Sequence, residues 1–534
     1  MKIMTTNIKF FSACLMLGAI CSCDGYLDKM PDNRTEIDSE DKVTALLTSA
    51  YPATDYIMLT EVMSDNTDDY GVKYKNSDRF IDQVWAWEDV TEADNESPEN
   101  IWQGHYDAIA AANQALQSIE EMGGATTTVL KQAKAEALLC RAYNYFMLVN
   151  IFCKNYNAET SGKDLGIPYL TEPETILDPK YERGTVAEVY ANIDKDLQEA
   201  LPNVGDSYYT VPKYHFNQKA AYAFAARFYL YYEKWEEAVE YAGKCLGASP
   251  AQMLRDWAYL GTVPTSEYDM CVNEYISATS NANLLLVTAY SAVGLAFGPY
   301  GYYTKYSHGS YLASTETCFA QQPLGSSRKV LEPLYKYFPR TYENALDRVC
   351  FWKLPYLFEI TNSASQTGFY RTVYPAVWTD ECLLNRAEAY VMLGKYDEAA
   401  ADLTTWMQNC FNTTVTLTAE SIASLYSSMA YYQWNNPTPK KHLHPAFEIG
   451  AEGGIRESML QCVLHFKRIE TLGQGLRWFD VKRYGIEIYR RAMNADGTVE
   501  KCLDVLTTDD DRRAVQIPLK VRDAGLEANP RSEK

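Results

Sequence analysis

The sequence predicts a mostly α fold: a tetratricopeptide-type helical-repeat scaffold of about four helix pairs, with long irregular loop insertions forming a second lobe. Two segments share one layout and carry this reading. Residues 215–250 and 382–412 each run as an Ala- and Tyr-rich helix, a tight turn, and a second Ala-rich helix. In the first, Ala220, Ala221, Ala225 and Ala226 recur at helical spacing, Lys234-Trp235 marks the turn, and Ala238 and Ala242 continue the small face. In the second, Ala387 and Ala389 lead into Gly394-Lys395-Tyr396, followed by Ala399 and Ala400. Small residues on one face let a neighbouring helix approach closely. The third observation is the contrast between them: from about 264 to 375, Gly, Ser, Thr and Tyr abound and helical periodicity fades.

Taken in chain order, weaker helical patterns at 102–120 and 130–148 form a first pair, and 186–201 leads into the 215 unit. Two hairpins as far apart as 215 and 382 are not expected to stack by themselves, so these weaker pairs fill the array. The scaffold therefore covers about 40–250 and 378–410, an insert about 260–376 reads as ordered loops or short strands, and a C-terminal segment spans about 411–534. Within that last segment, 411–460 and 495–534 read as irregular. Loops beyond about 15 residues in a compact protein are more often functional than idle.

The N-terminus is a leader. Lys2 and Lys9 precede an apolar run from Phe10 to Cys21, too short for a spanning helix, which needs about 20 residues. It ends in Ser22-Cys23, with polar Asp24 following. A small residue before a cysteine is what lipoprotein signal peptidase needs, so 1–22 is expected to be removed and Cys23 acylated. An acyl chain holds a soluble domain on a membrane surface, each buried methylene contributing about 0.8 kcal/mol. An ordinary secretory signal cut near Ala19 is the alternative.

The chain has 534 residues, with 49 Lys+Arg against 70 Asp+Glu, a net charge of −21. Removing the leader takes two lysines and no acid, leaving −23. Such a field repels phosphate backbones and argues against nucleic acid as a partner. Thirteen cysteines are present; beyond Cys14, Cys21 and Cys23 they are scattered singly, with no CxxC pair. Most read as small buried hydrophobes.

Several segments together resemble the SusD/RagB family of bacterial outer-membrane nutrient-binding lipoproteins. They are Ser22-Cys23 with Tyr26-Leu27-Asp28, KAEALLCRAYNYFMLVNIF at 134–152, GIPYLTEP at 166–173 and RGTVAEVYANIDKDLQEAL at 183–201. WTDECLLNRAEAYVMLGKYDEAAADL at 378–403, RIETLGQGLRWFDVKRYG at 468–485 and VQIPLKVRDAGLEANP at 515–530 complete the match. Gln474 stands where the family usually has Glu, and Ala528 where it usually has Gln. The resemblance implies a single domain over 23–534 that binds an oligosaccharide, or in some members a peptide, without catalysis. It implies a SusC-like TonB-dependent transporter as partner, facing the repeats, and an outer-membrane location tethered only by lipid and facing the cell exterior. No cofactor is expected.

The residues themselves make most of these motifs structural. Arg141, Arg468, Arg477, Asp480 and Arg483 are charges set among apolar neighbours, and burial demands partners for them. Trp102, Trp235, Trp406 and Trp478 sit on helical faces and read as packing residues. A sugar site needs flat aromatic faces beside Asn, Asp, Gln or Arg, and the chain holds 42 Tyr against 18 Phe. Tyr300, Tyr302 and Tyr303 cluster on a glycine-rich stretch, GPYGYYTKYSHGSY at 298–311, and are candidate ligand residues. Asn66, Tyr70, Trp85 and Trp87 form a second candidate set; on an extended segment the two tryptophans would point the same way. Tyr431 to Asn436 is a third aromatic–amide run.

Metal and catalytic signals are thin. His442-Leu443-His444 lacks a third ligand nearby, and the 65–69 and 509–511 acidic runs have no EF-hand spacing, so no metal is assigned. No GxSxG, HExxH, Walker or GxGxxG pattern occurs. A glycoside hydrolase using a carboxylate pair such as Asp68 and Glu88, and a scaffold that binds only protein, are the competing readings.

Overall fold

The computed structural model describes residues 37–74, 77–93, 95–176, 179–300, 305–342 and 347–532. Cys23 and the leader lie outside the described residues, as do Tyr302 and Tyr303. Among the described residues no helix is long and apolar enough to cross a membrane.

The scaffold is built on the Thr128–Phe152 helix, whose residues are buried without a break from Ala135 to Phe152. A helix apolar on every side has to lie inside, and this one is packed between the Pro98–Glu121 and Val186–Ala200 helices. Its embedded polar groups, Glu136, Arg141, Asn144 and Asn150, are paired. Arg141 donates to Asp196 at 2.7 and 2.8 Å and to Asn113, while Asn144 bonds the carbonyls of Ala50 and Cys140. The 98–121 helix starts on Ser97 with Pro98 in its first turn, where the missing N–H is no loss.

The 186–200 helix starts with a reciprocal cap: Thr185 accepts from the Glu188 N–H, and the Glu188 carboxylate accepts from the Thr185 N–H. Thr185→Ala removes half of that box and is expected to lower stability by about 1 kcal/mol in urea denaturation. A loss under about 0.3 kcal/mol would mean that packing alone sets this helix start.

The two sequence-evident hairpins are Gln218–Tyr231 with Trp235–Leu246, and Thr379–Met392 with Tyr396–Cys410. Contrary to the expectation from their separation, they stack directly, the 235–246 helix lying on the 379–392 helix. Everything between them is looped out. Gly394 makes the second turn in the left-handed region (φ 72°), while the first turn forces Glu233 there (φ 60°).

Among the described residues the strands are β1 Asp68–Asp69, β2 Asn283–Tyr290, β3 Tyr306–Ser307, β4 Arg340–Tyr342, β5 Arg348–Cys350, β6 Leu357–Asn362, β7 Thr367–Trp378, β8 Ile488–Met493 and β9 Val499–Leu506. β7 pairs antiparallel with buried β2 along its inner half and with β6 along its outer half, then runs straight into the 379–392 helix. The β6–β7 ribbon therefore projects, and β6 is exposed along its whole length. A second sheet, in the order β3-β1-β8-β9, ties the N-terminal segment, the insert and the C-terminal segment together. The C-terminal segment is more regular than its sequence suggests: an Ala419–Ser428 helix falls in the 411–460 stretch, and β9 falls in the tail.

Charges lock the last helices to the repeats, as their embedding predicted. Glu388 accepts from Lys467, Arg483 and Tyr484 at 2.8–2.9 Å. Glu470, at the end of the Ile455–Glu470 helix, accepts the indole N–H groups of Trp378 and Trp406. Trp102, Trp406 and Trp478 are buried, and Trp235 packs edge-on against Phe447.

Candidate functional site

The first sequence-predicted set lies inside the protein. The Arg79–Trp85 helix ends at Trp85, and Trp87 follows in a left-handed turn (φ 54°), so the extended geometry expected for this pair does not occur. Trp85 is 5% exposed and stacks on Tyr306 at 4.6 Å; Trp87 is 3% exposed and donates its indole N–H to the Met63 carbonyl at 2.9 Å. Both rings clasp the Arg490 guanidinium, at 4.8 and 3.9 Å from their centroids. That cation has backbone carbonyls of Val62, Met63 and Ser64 as its acceptors, so the indole faces supply the remaining stabilisation. Trp87 also forms part of the wall of a cleft of about 260 Å³ between the 87–99 stretch and the C-terminal segment, but little of its ring reaches it.

Asn66 and Tyr70 are fully buried as well. Asn66 donates to Glu61 and accepts from Arg468, so both ends of its amide are engaged inside the protein, and its burial keeps it from a ligand at the surface. The Tyr70 hydroxyl occupies the space that a side chain at Gly309 would fill, 1.8 Å from an ideal Cβ there. Asp68, one carboxylate of the hydrolase alternative, is buried and taken bidentately by Arg491 at 2.8 and 2.9 Å, while Glu88 is exposed. These residues belong to one buried polar network: Asp65 pairs with Arg468, Arg477 and Lys441, and Glu316 with Lys441, Arg468 and Arg491.

Tyr300 has a different place. It is half-buried at the edge of the insert, and its ring stands edge-on to Tyr268 at 5.7 Å and to Tyr356 at 5.6 Å. Its hydroxyl donates to Asp269 at 3.0 Å and accepts the Tyr356 N–H at 3.1 Å, which fixes the ring. Burial, with Asp269 alongside, pushes that hydroxyl up to about 12, so it stays protonated at neutral pH.

From Tyr300 the rings continue onto the ribbon. Tyr356 stacks on Tyr370 at 4.4 Å with 11° between planes, and Phe358 leans on Tyr370 at 5.0 Å. Phe358 and Tyr370 are directly paired across β6 and β7, so they share one face. They are 47% and 45% exposed. The opposite face carries exposed Phe369, edge-on to Tyr290, with the Arg371–Glu359 ion pair beside it. Tyr268, Tyr300, Tyr356, Phe358 and Tyr370 thus form a continuous strip of five rings, rimmed by Asp269. Monomeric proteins seldom leave such contiguous apolar surface to solvent without a use for it.

Of this strip the sequence reading found Tyr300. The signal for the remainder was present in LFEITNSASQTGFYRTVY at 357–374: apolar residues in both phases of a strand, around a polar turn at 362–366. A half-buried strand has one apolar phase, so two mark a ribbon with something to bind on at least one face. In the Tyr431–Asn436 run the two tyrosines are engaged within the protein, Tyr431 stacking on His442 at 4.3 Å and Lys441 lying 3.4 Å over the Tyr432 ring, while Gln433, Asn435 and Asn436 are exposed.

The fold defines a class. Over nine-tenths of its length it is similar to that of known structures: the chain superposes on a SusD superfamily protein from Bacteroides thetaiotaomicron with a TM-score of 0.61 at 18% identity, covering 92% of this chain and 100% of that one. A SusD superfamily protein from Bacteroides vulgatus gives 0.61 at 18%, covering 94% and 100%. A SusD-like carbohydrate binding protein from the same species gives 0.58 at 16%, covering 91% and 96%. No curated protein matches the sequence. Residues 25–230 match the sequence model of the SusD-like family described as starch-binding, associating with outer membrane. The family's sequence pattern thus covers the N-terminal part of the chain, and the likeness beyond it is one of fold.

Proposed function

We propose that this protein is a cell-surface lipoprotein, anchored through Cys23, that captures an oligosaccharide and delivers it to a SusC-like TonB-dependent transporter in the outer membrane. Capture is by binding alone, with no catalytic step. The strip of five rings on the insert is the observation that carries the reading. Flat faces of Tyr and Phe suit the C–H faces of sugar rings, and tyrosine keeps a polar tip for hydroxyls. Tyr302 and Tyr303 follow Tyr300 in the chain after Gly301 and are part of the proposed site. The helical scaffold, on which none of these rings stands, is left for the transporter.

A glycan-array screen of residues 24–534 tests this. The wild type should bind one glycan class, and Phe358→Ala/Tyr370→Ala should weaken that binding about 100-fold, equal to about 2.7 kcal/mol for two central aromatics. Its helical circular dichroism should be unchanged. Binding that survives the double substitution would remove the strip as the site. One feature favours a second reading, peptide cargo: β6 is the outer strand of its sheet, the arrangement to which an extended peptide adds. Binding of peptides and of no glycan would decide for it.

A further inference from the structure

The Tyr268–Tyr275 helix that presents Tyr268 to the aromatic strip has a polar pocket of about 400 Å³ at its other end. The walls are the Trp257–Thr262 helix, the end of the 268–275 helix, the 277–281 turn and Asn409 of the 396–410 helix. The Tyr259 ring stands 50% exposed on one wall. Glu274 lies against its hydroxyl and raises the hydroxyl's pKa, and Asp256 accepts the Tyr259 N–H at 2.8 Å, holding the turn that carries the ring. Across the pocket, Asn409 donates to the Arg255 carbonyl at 3.0 Å, and its own side-chain carbonyl accepts no bond among the described residues. Asn281, exposed, and the 277–280 hydroxyls complete the lining.

This chemistry narrows the occupant. One aromatic face surrounded by carboxylates, amides and hydroxyls suits a neutral ring rich in hydroxyl groups. An anion is disfavoured because Asp256 and Glu274 face the space. The one base in the lining, Arg255, is buried and turns its guanidinium away to Tyr275 O and Asn283 at 2.8 and 2.7 Å. A purely apolar ligand would leave those polar groups unpaired.

We propose that this pocket is a second carbohydrate subsite, seating one neutral hexose ring on Tyr259 with its hydroxyls held by Asp256, Glu274 and Asn281. The proposal rests on the glycan reading above and extends it. Glu274 lies about 9 Å along the helix axis from Tyr268 and about 120° round it, so the pocket and the strip are neighbouring sites on different sides of one helix.

Saturation-transfer NMR on residues 24–534 tests it, with methyl α-glucoside, methyl α-mannoside and methyl β-galactoside as single-ring probes. At least one should show transfer on the wild type that falls fivefold or more in Tyr259→Ala and in the conservative Glu274→Gln. The same transfer should persist in Phe358→Ala/Tyr370→Ala. If Tyr259→Ala shifts the melting temperature, Glu274→Gln alone decides. Absence of transfer from all three probes, or transfer that Glu274→Gln leaves intact, overturns the pocket. The strip stands or falls separately, on whether its double variant loses oligosaccharide in the array.

Discussion

Asp65→Ala is expected to destabilise the protein by about 3–5 kcal/mol, because it strips the carboxylate from three buried cations. Arg477 grips Asp65 through two bonds of 2.8 and 2.9 Å, Arg468 lies at 3.3 Å and Lys441 at 3.7 Å. No solvent is at hand to replace it, since all four side chains are buried. Urea denaturation measures the loss, and a value under about 1 kcal/mol would mean that Glu316 carries the network unaided. A pH dependence accompanies it. Burial pushes the Glu316 carboxyl up, but Lys441, Arg491 and Arg468 outweigh burial and hold it at about 2. Burial likewise opposes ionisation of Asp65, and Arg468 and Arg477 overcome it, leaving the group well below the usual carboxylate range. A depressed folded value means that stabilisation is complete above the unfolded range near 4 and drains away as pH falls toward 2. The wild-type urea midpoint should therefore fall between pH 5 and pH 3, and Asp65→Ala should flatten that slope.

Trp87→Ala should cost about 3–5 kcal/mol, as a fully enclosed tryptophan does. The substitution removes the nearer indole face from Arg490, whose acceptors are backbone carbonyls, and takes from the Met63 carbonyl one of its two donors, leaving Arg490. It also uncovers Arg512, 5.3 Å from the same ring. Thermal unfolding reads the effect. Should the variant keep its stability yet lose glycan binding, Trp87 would be restored as a ligand contact and its buried position would need another explanation.

These two residues also show where sequence reading reached its limit. The helical hairpins were legible because small residues at helical spacing are a local pattern, and the cation-rich 468–485 segment because charge among apolar neighbours is improbable without partners. Trp85 and Trp87 were legible only as an alternating pair. What gathers their rings is Arg490, some four hundred positions along the chain, and a left-handed turn that a tryptophan seldom adopts. Asn66 has the same history: its polar character suggested a sugar contact, while its partners Glu61 and Arg468 come from two distant elements. In the insert, tyrosine density pointed to the region of the proposed strip and included Tyr300, but the strip needs β6 and β7 in register, and register is a property of the pair.

The direct stacking of the 235–246 and 379–392 helices makes the intervening stretch a side branch of the scaffold. Closing a flexible loop costs only about 0.6 kcal/mol more for each doubling of its length, so the outer part of such a branch can be lengthened or rewritten at small thermodynamic penalty. For the ribbon the constraint is arithmetical: insertions in matched pairs on β6 and β7 keep every ring on its face, whereas a single extra residue on one strand inverts the pattern beyond it. An ancestor of this chain could thus have changed what the protruding ribbon presents to solvent while the helical scaffold beneath it remained as it was.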